Sequence, residues 1–548
     1  MVRTSGFHPE NPSSILGGVA KSKSRVLQHL LKISHDPERS KKMSFDELLR
    51  KESNKCTFST TENGAIGFST SGKSIVDLNF KISSYRGMPD EDIASDFNKA
   101  FEENPLIAMK FLFFASDVRY GLGERRFFKV CLRWLEKNHP EYVSACLDLI
   151  PEYSRWDNMF DLIDTSLDNE VISLIKRQLN DDIKSLSDQN CNHVSLLGKW
   201  LPSVNTSSKA TRNLARKIAC KLGLKERDYR KTLSSLRGRI GIVESKISEK
   251  LWDKIEYSYV PSKANIKYSR AFLRNDFDRR VKFIKEANEK NVKINSSVNF
   301  PHEIIKMMKS SDDAPSMEAL WKNLPDYLSG RSGRIITVID TSFSMMCSSV
   351  FRSSNGPLVP YDIAKAIGIY FSERLEGEFK DKLITFSKSP KYIDLSSCKD
   401  LYSKVSFIDQ YKECSNTDIY KVFRLILNTA KINGLRQDEI PDNVLIISDM
   451  EFDASRVDDD IDCLFEKIKK EYSENGYLLP KLSFWNICSR NCAFPVQENE
   501  NGLSLISGFS PSVVSMILSN EKDPFKVLLE KLNSKRYEEI ERRIKALK

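Results

Sequence analysis

From Arg334 to about Leu518, short β-branched apolar runs alternate with amphipathic stretches, a pattern that few folds accommodate. Strand-like runs lie at 335–339, 382–386, 443–447, 482–487 and 503–506. Between and after them, helical periodicity predicts helices over 362–375, 418–430, 459–472 and 511–518, with Ile363, Ile367 and Phe371 recurring every four residues on one face. Runs this apolar suit strands buried on both faces, and their alternation with helices implies a mostly parallel sheet covered on both sides. Residues 331–520 are therefore expected to form a doubly wound α/β domain.

Two of these strands end in a carboxylate. Ile335, Ile336, Val338 and Ile339 lead into Asp340, with Ser342 and Ser344 at alternate positions beyond it; Val444–Ile447 leads into Ser448 and Asp449. Open α/β sheets bind ligands at the carboxyl ends of their strands. A third stretch, Cys414-Ser-Asn-Thr417-Asp418, precedes a predicted helix, where Ser415 or Thr417 offers a hydroxyl ahead of the positive end. Together these make an oxygen-only set suited to Mg²⁺ or another hard divalent cation, which takes about six ligands at roughly 2.0–2.1 Å and keeps some of its waters. Asp and Ser after a strand also cap turns, so the bland reading is turn chemistry alone. The motifs D-T-S-F-S-M, N-T-D and I-S-D-M resemble the metal-ion-dependent adhesion site (MIDAS) of von Willebrand factor A domains. That resemblance implies direct metal binding by Ser342, Ser344 and Thr417, water-mediated binding by Asp340 and Asp449, and an open position that takes an acidic group from a protein partner.

The first 330 residues differ in kind. They carry 54 Lys and Arg against 43 Asp and Glu, whereas the remainder is balanced at 31 against 32, so the basicity of the chain belongs to its N-terminal part. Residues 1–55 are polar and read as a basic arm, and 56–88 as two or three short strands marked by Asn63-Gly64 and Ser71-Gly72. From 89 to 330 helices are expected, at 107–116, 124–135, 142–150, 156–163, 171–179, 209–222, 239–250 and 270–287. They have no fixed sequence period, which points to an irregular, HEAT-like helical-repeat array. Residues 310–333 read as a linker with a short helix, and 521–548 as a C-terminal helix.

Between Lys199 and Arg239 there are twelve Lys or Arg and only two acids, Glu226 and Asp228. On the helix expected at 209–222, Lys209 opens the face, and Arg212 with Arg216 and Lys217 with Lys221 form stripes at i, i+4 opposite Leu214, Ile218 and Leu222. Such stripes can follow a phosphate backbone with a salt-dependent affinity; equally, any solvated helix face shows them. Arg119, Arg125 and Arg126 extend the basic surface, and Tyr229, Tyr257, Tyr259 and Tyr268 are either stacking partners for bases or packing anchors. A helical array followed by an A domain resembles the Ro autoantigen (TROVE) proteins, whose helical ring binds small non-coding and misfolded RNAs. More closely, R-Y-G-L-G-E-R-R at 119–126, S-R-W-D at 154–157, K-W-L-P-S at 199–203 and Y-V-P-S-K-A at 259–264 resemble a Ro-like family, domain-of-unknown-function family 2828.

Other classes find little support. No apolar span approaches the roughly 18 residues of a membrane helix, and the N-terminal residues have no signal-like core. The eleven cysteines are scattered, with only Cys488 and Cys492 close, as in reduced intracellular proteins. All six histidines precede the α/β part, and neither G-x-S-x-G nor H-E-x-x-H occurs. The expectation is a cytoplasmic, non-enzymatic protein that binds RNA through its helices and an acidic partner through Mg²⁺. The alternatives are a protein scaffold without RNA and a metal-dependent phosphohydrolase using Asp340 and Asp449.

Overall fold

The computed structural model describes residues 58–60, 66–187, 194–310, 313–329, 333–346, 351–353, 356–412, 418–450, 461–487, 503–510, 516 and 523–547. The expected arm at 1–55, the helix at 511–518 apart from Met516, Ser415, Thr417 and the pair Cys488 and Cys492 lie outside them. Residues Thr57–Lys548 form one compact unit.

At the centre of its C-terminal half is a six-stranded sheet. With β1 (Phe58–Thr60) and β2 (Ile66–Phe68) pairing in a small antiparallel hairpin and β4 (Phe351–Ser353) with β5 (Gly356–Leu358) in another, the sheet comprises β3 (Ile335–Asp340), β6 (Lys382–Phe386), β7 (Tyr392–Asp394), β8 (Asn443–Ser448), β9 (Lys481–Asn486) and β10 (Leu503–Ser507). Its order is β10-β9-β8-β3-β6-β7, parallel except for the edge strand β7. The side chains of β3 alternate between two cores. Ile335 and Ile339 join Leu383, Leu445 and Trp485 beneath the helix Pro360–Arg374, whereas Ile336 and Val338 join Ile384, Ile446 and Phe484 beneath the helix Ile419–Asn433. Every residue of β3 and β8 is buried, as the continuous apolar runs imply. Helices thus cover both faces. β3 is also where the chain changes direction: it continues outward to β6 on one side and returns on the other through β8, β9 and β10. The carboxyl ends of β3 and β8 therefore flank a topological switch point.

The N-terminal half is helical from Ser74 onward. The segment expected to be strand beyond β2 instead forms the helix Ser74–Lys81, which packs on β10. The span expected to be one helix at 239–250 holds the end of Glu226–Ile240, closed by Gly241 at φ 69°, and the short helix Val243–Ser248. The one expected at 270–287 breaks at Asp276 into Ser269–Asn275 and Phe277–Asn288. The expected linker is core: the helix Ala314–Lys322 buries Met317, Leu320 and Trp321.

The two halves share this core. The helix Pro301–Ser310 packs along Pro360–Arg374, and Lys309 and fully buried Lys365 share the carboxylates of Asp362 and Asp409 across the contact. Near β9 and β10, Asn486 Nδ2 donates to the Phe80 carbonyl, and the Ser83 and Ser507 hydroxyls lie 2.8 Å apart. The C-terminal residues form two helices, Pro524–Leu532 and Glu538–Lys545, which pack on the helix Pro105–Ser116 of the opposite half. Among the described residues, no helix is long and apolar enough to cross a membrane.

Candidate functional site

At the end of β3 the Asp340 carboxylate is held from two sides. Its Oδ1 accepts the Ser342 backbone N–H at 2.9 Å, and its Oδ2 accepts the Ser448 hydroxyl, at the end of β8, at 2.5 Å. Ser448 also accepts the Met450 N–H at 3.0 Å. Met450 has φ 62°, a left-handed conformation that a non-glycine residue adopts at a cost, and it sits directly after Asp449, where such strain marks functional turns. Asp340, Asp449 and Ser342 are buried, Ser344 is half-buried and Phe343 between the two serines is exposed.

The Ser342 and Ser344 hydroxyls lie 2.9 Å apart. That is a hydrogen-bond distance, and it is also the separation of two neighbouring oxygens around an octahedral ion bound at about 2.05 Å, which is about 2.9 Å. Hydrogen bonds to both of its oxygens hold the Asp340 carboxylate in a fixed orientation at the strand end. The residues present therefore fit a small hard cation held by hydroxyls and assisted by two carboxylates. Among the described residues no group of three or more His, Cys, Asp or Glu is placed to hold a metal, so a softer or all-carboxylate site finds no seat there. Of the five expected ligands, the sheet brings Asp340, Ser342, Ser344 and Asp449 to one end of two adjacent strands; Thr417 lies outside the described residues.

The basic residues do not behave as one surface. Arg126 donates to the carbonyls of Tyr85 and Met88 and pairs with Asp90, so it buckles the helix Arg125–Asn138 to the preceding chain. Lys217 pairs with Asp164, and Lys221 with Asp164 and Asp168 at 3.0 and 2.7 Å, while Arg212 donates to the carbonyls of Thr206 and Ser207. Arg216 pairs with Glu226 at 3.0 Å, both exposed. Lys209, Arg119 and Arg125 are exposed. Of the four tyrosines, Tyr229 and Tyr257 are buried, their hydroxyls donating to the Pro202 carbonyl and to Asp276, and both are packing anchors. Tyr268 is half-buried, and Tyr259 is 81% exposed.

Residues 61–154 and 165–329 match the family described as Domain of unknown function (DUF2828). The match to DUF2828 falls on the helical half. Residues 334–546 match a separate family, Domain of unknown function (DUF7788), so the likeness of this half to von Willebrand factor A domains rests on its three motifs alone. Over 511 residues, 86% of either chain, the protein is 28% identical to the uncharacterized protein L728 of Acanthamoeba polyphaga mimivirus. In the matched region, R-Y-G-L-G-E-R-R is a helix-ending turn. Gly121 lies so close to the preceding helix that a Cβ there would stand 1.9 Å from the Phe114 carbonyl oxygen, and Gly123 has φ 71°. The turn delivers buried Glu124 to Arg86, which binds it through two parallel hydrogen bonds of 2.8 and 2.7 Å.

Sequence reasoning missed Ser448 and Met450. Ser448 was legible only as the last strand residue before an acid, and the register that sets it opposite Asp340 is a property of the folded sheet.

Proposed function

We propose that the protein is a non-enzymatic binding protein whose α/β half captures an acidic group through a divalent cation held by Ser342 and Ser344, with Asp340 and Asp449 acting through coordinated waters. The observation that carries this reading is the 2.9 Å spacing of two serine hydroxyls beside a fixed carboxylate, at the switch point of a parallel sheet. When bound, the ion supplies a positive charge with an exchangeable position. The chain's own task is orientation. Ser448 and the Ser342 N–H fix the Asp340 carboxylate, and Asp449 follows Ser448 at the end of the adjacent strand, just before the left-handed Met450. Hydroxyl donors leave more charge on the ion for an incoming carboxylate than anionic donors would.

Adding Mg²⁺ is expected to raise the melting temperature of the wild type by about 2 °C or more and to leave the Asp340→Ala/Ser342→Ala double variant unchanged. Equal shifts in both proteins would refute the site. A phosphohydrolase would need turnover that vanishes on Asp340→Ala, and the hydroxyl-rich set supports capture better than water activation.

A second reading is that the helical half binds RNA. It is supported by the basic excess of the first 330 residues and by exposed cations on consecutive helices. Lys209, Arg227, Arg230 and Lys231 make no ion pair among the described residues, unlike Lys217 and Lys221. Binding of a single-stranded RNA should weaken steeply with salt and fall in Lys209→Glu/Arg230→Glu. A salt-independent signal, or none, would leave a protein scaffold.

A further inference from the structure

Five segments far apart in the helical half supply charged residues to one place. Glu124 and Arg125 come from the turn after the helix Pro105–Ser116, Arg155 and Asp157 from 154–157, and Lys263 from the start of the helix Ser262–Lys267. Arg86 and Glu303 complete the set. Three of the cations have an acid: Arg86 is clamped on Glu124, Arg155 pairs with Asp157, and Lys263 pairs with Glu303. Arg125 has none among the described residues. Four cations therefore face three acids, an excess of one positive charge.

Aromatic rings back the cluster. The Arg86 guanidinium lies 4.1 Å over Phe509, the Lys263 ammonium 4.7 Å over Phe300, and the Arg155 guanidinium 4.1 Å over Trp200. These walls withhold solvent from one side of each cation, which strengthens its field toward the other. The cations feel one another. Arg125 keeps an exposed side, yet desolvation by the surrounding protein lowers its pKa, and the charge of Arg155 pulls the same way. Burial likewise lowers that of Lys263, with Arg125 and Arg86 adding to the effect against Glu303. Two polar atoms inside the cluster, Arg155 Nε and Asp157 Oδ1, are buried without a hydrogen-bond partner. Arg125 also opens the helix Arg125–Asn138, whose first amides and dipole favour an anion.

We propose that Arg125, with Lys263 and Arg155 beside it, forms a binding site for a phosphodiester group. One negative charge matches the excess of one, and a guanidinium fork binds two phosphate oxygens at once. The proposal deepens the RNA reading by placing a backbone phosphate on the helical half at a point distinct from the exposed face of Lys209 and Arg230. The same chemistry also suits a small phosphodiester, so two probes are needed: an unphosphorylated single-stranded RNA dodecamer, and a dinucleoside monophosphate.

Arg125→Gln serves as the test variant, since it breaks no ion pair and should melt with the wild type. It is expected to weaken at least one probe about tenfold or more, measured by anisotropy for the RNA and calorimetry for the dinucleotide. Loss of the dodecamer alone assigns the site to a polymer. Arg125-dependent dinucleotide binding without any RNA binding would retain the site and remove the RNA reading. RNA binding that falls in Lys209→Glu/Arg230→Glu but not in Arg125→Gln would retain that reading and overturn the site. Indifference of both probes to Arg125→Gln overturns it as well.

Discussion

His302 illustrates what a single side chain contributes to this protein. Its ring stacks on Phe300 at 5.6 Å and meets the edge of Phe509 at 5.3 Å, and its Nδ1 is buried without a partner. Burial drives its pKa down to about 3, with the charges of Arg86, Lys263 and Lys306 pushing the same way against Glu303. The ring is therefore neutral in the folded protein, whereas in the unfolded chain it takes up a proton near pH 6.5. The stability it contributes is complete above that pH and is lost as pH falls from about 6.5 toward 3, by up to about 1.4 kcal/mol per pH unit. His302→Phe keeps the ring packing and removes the proton. The variant should lose less stability than the wild type between pH 7.5 and 5.5, as measured by urea unfolding; parallel losses would show that another group titrates. The same scale explains what was readable. Asp340 stood out because a carboxylate ending a buried strand has few structural excuses. Lys217 and Lys221 show what spacing leaves out: it reveals neighbours four residues away along a helix, whereas the acids they pair with, Asp164 and Asp168, lie 53 residues upstream.

Among the elements, the β-strands were the most legible, since a run buried on both faces admits one interpretation: β6 spans the expected residues, and β3, β8, β9 and β10 differ by a residue at one end or both. The edge strand β7 and the helix Leu401–Ile408 went unread because only Ile393 of β7 is buried and the helix is short. What no pattern shows is how closely elements approach. Gly368 lies mid-helix in Pro360–Arg374, where Ala would gain about 1 kcal/mol of helix propensity. Yet a Cβ there would stand 2.5 Å from Ile339 Cδ1 and 2.9 Å from Cγ1, on the strand that presents Asp340. Overpacking should win, so Gly368→Ala is expected to destabilise the protein by about 1–3 kcal/mol. Adding Ile339→Val removes Cδ1 and should restore part of that loss, a coupling that a double-mutant cycle in urea would measure. Additive effects would mean that the helix moves away instead.

At the scale of the whole molecule, the chain closes on itself. The helix Pro105–Ser116 reads from sequence as apolar with one anomaly, Lys110, and that lysine is buried. Its ammonium donates to Asn533 Oδ1 at 2.8 Å and pairs with Glu541, both from the C-terminal helices. Arg536 reaches Asp117 and Glu152 at 3.0 and 2.7 Å, Arg543 reaches Asp148 at 2.9 Å, and Tyr537 stacks on Tyr153 at 5.7 Å. Removing residues 523–548 would strip this helix of apolar cover and leave a buried ammonium without its carboxylate, which costs several kcal/mol. The effect of Lys110→Met should therefore change sign with context. In the full chain it loses a salt bridge and leaves Glu541, which retains some contact with water, so the melting temperature should fall slightly. In the truncated chain it removes an uncompensated buried charge, so the melting temperature should rise. A fall in both backgrounds would mean that Lys110 reaches water once the C-terminal helices are gone, and that those helices cover the N-terminal half without completing its core.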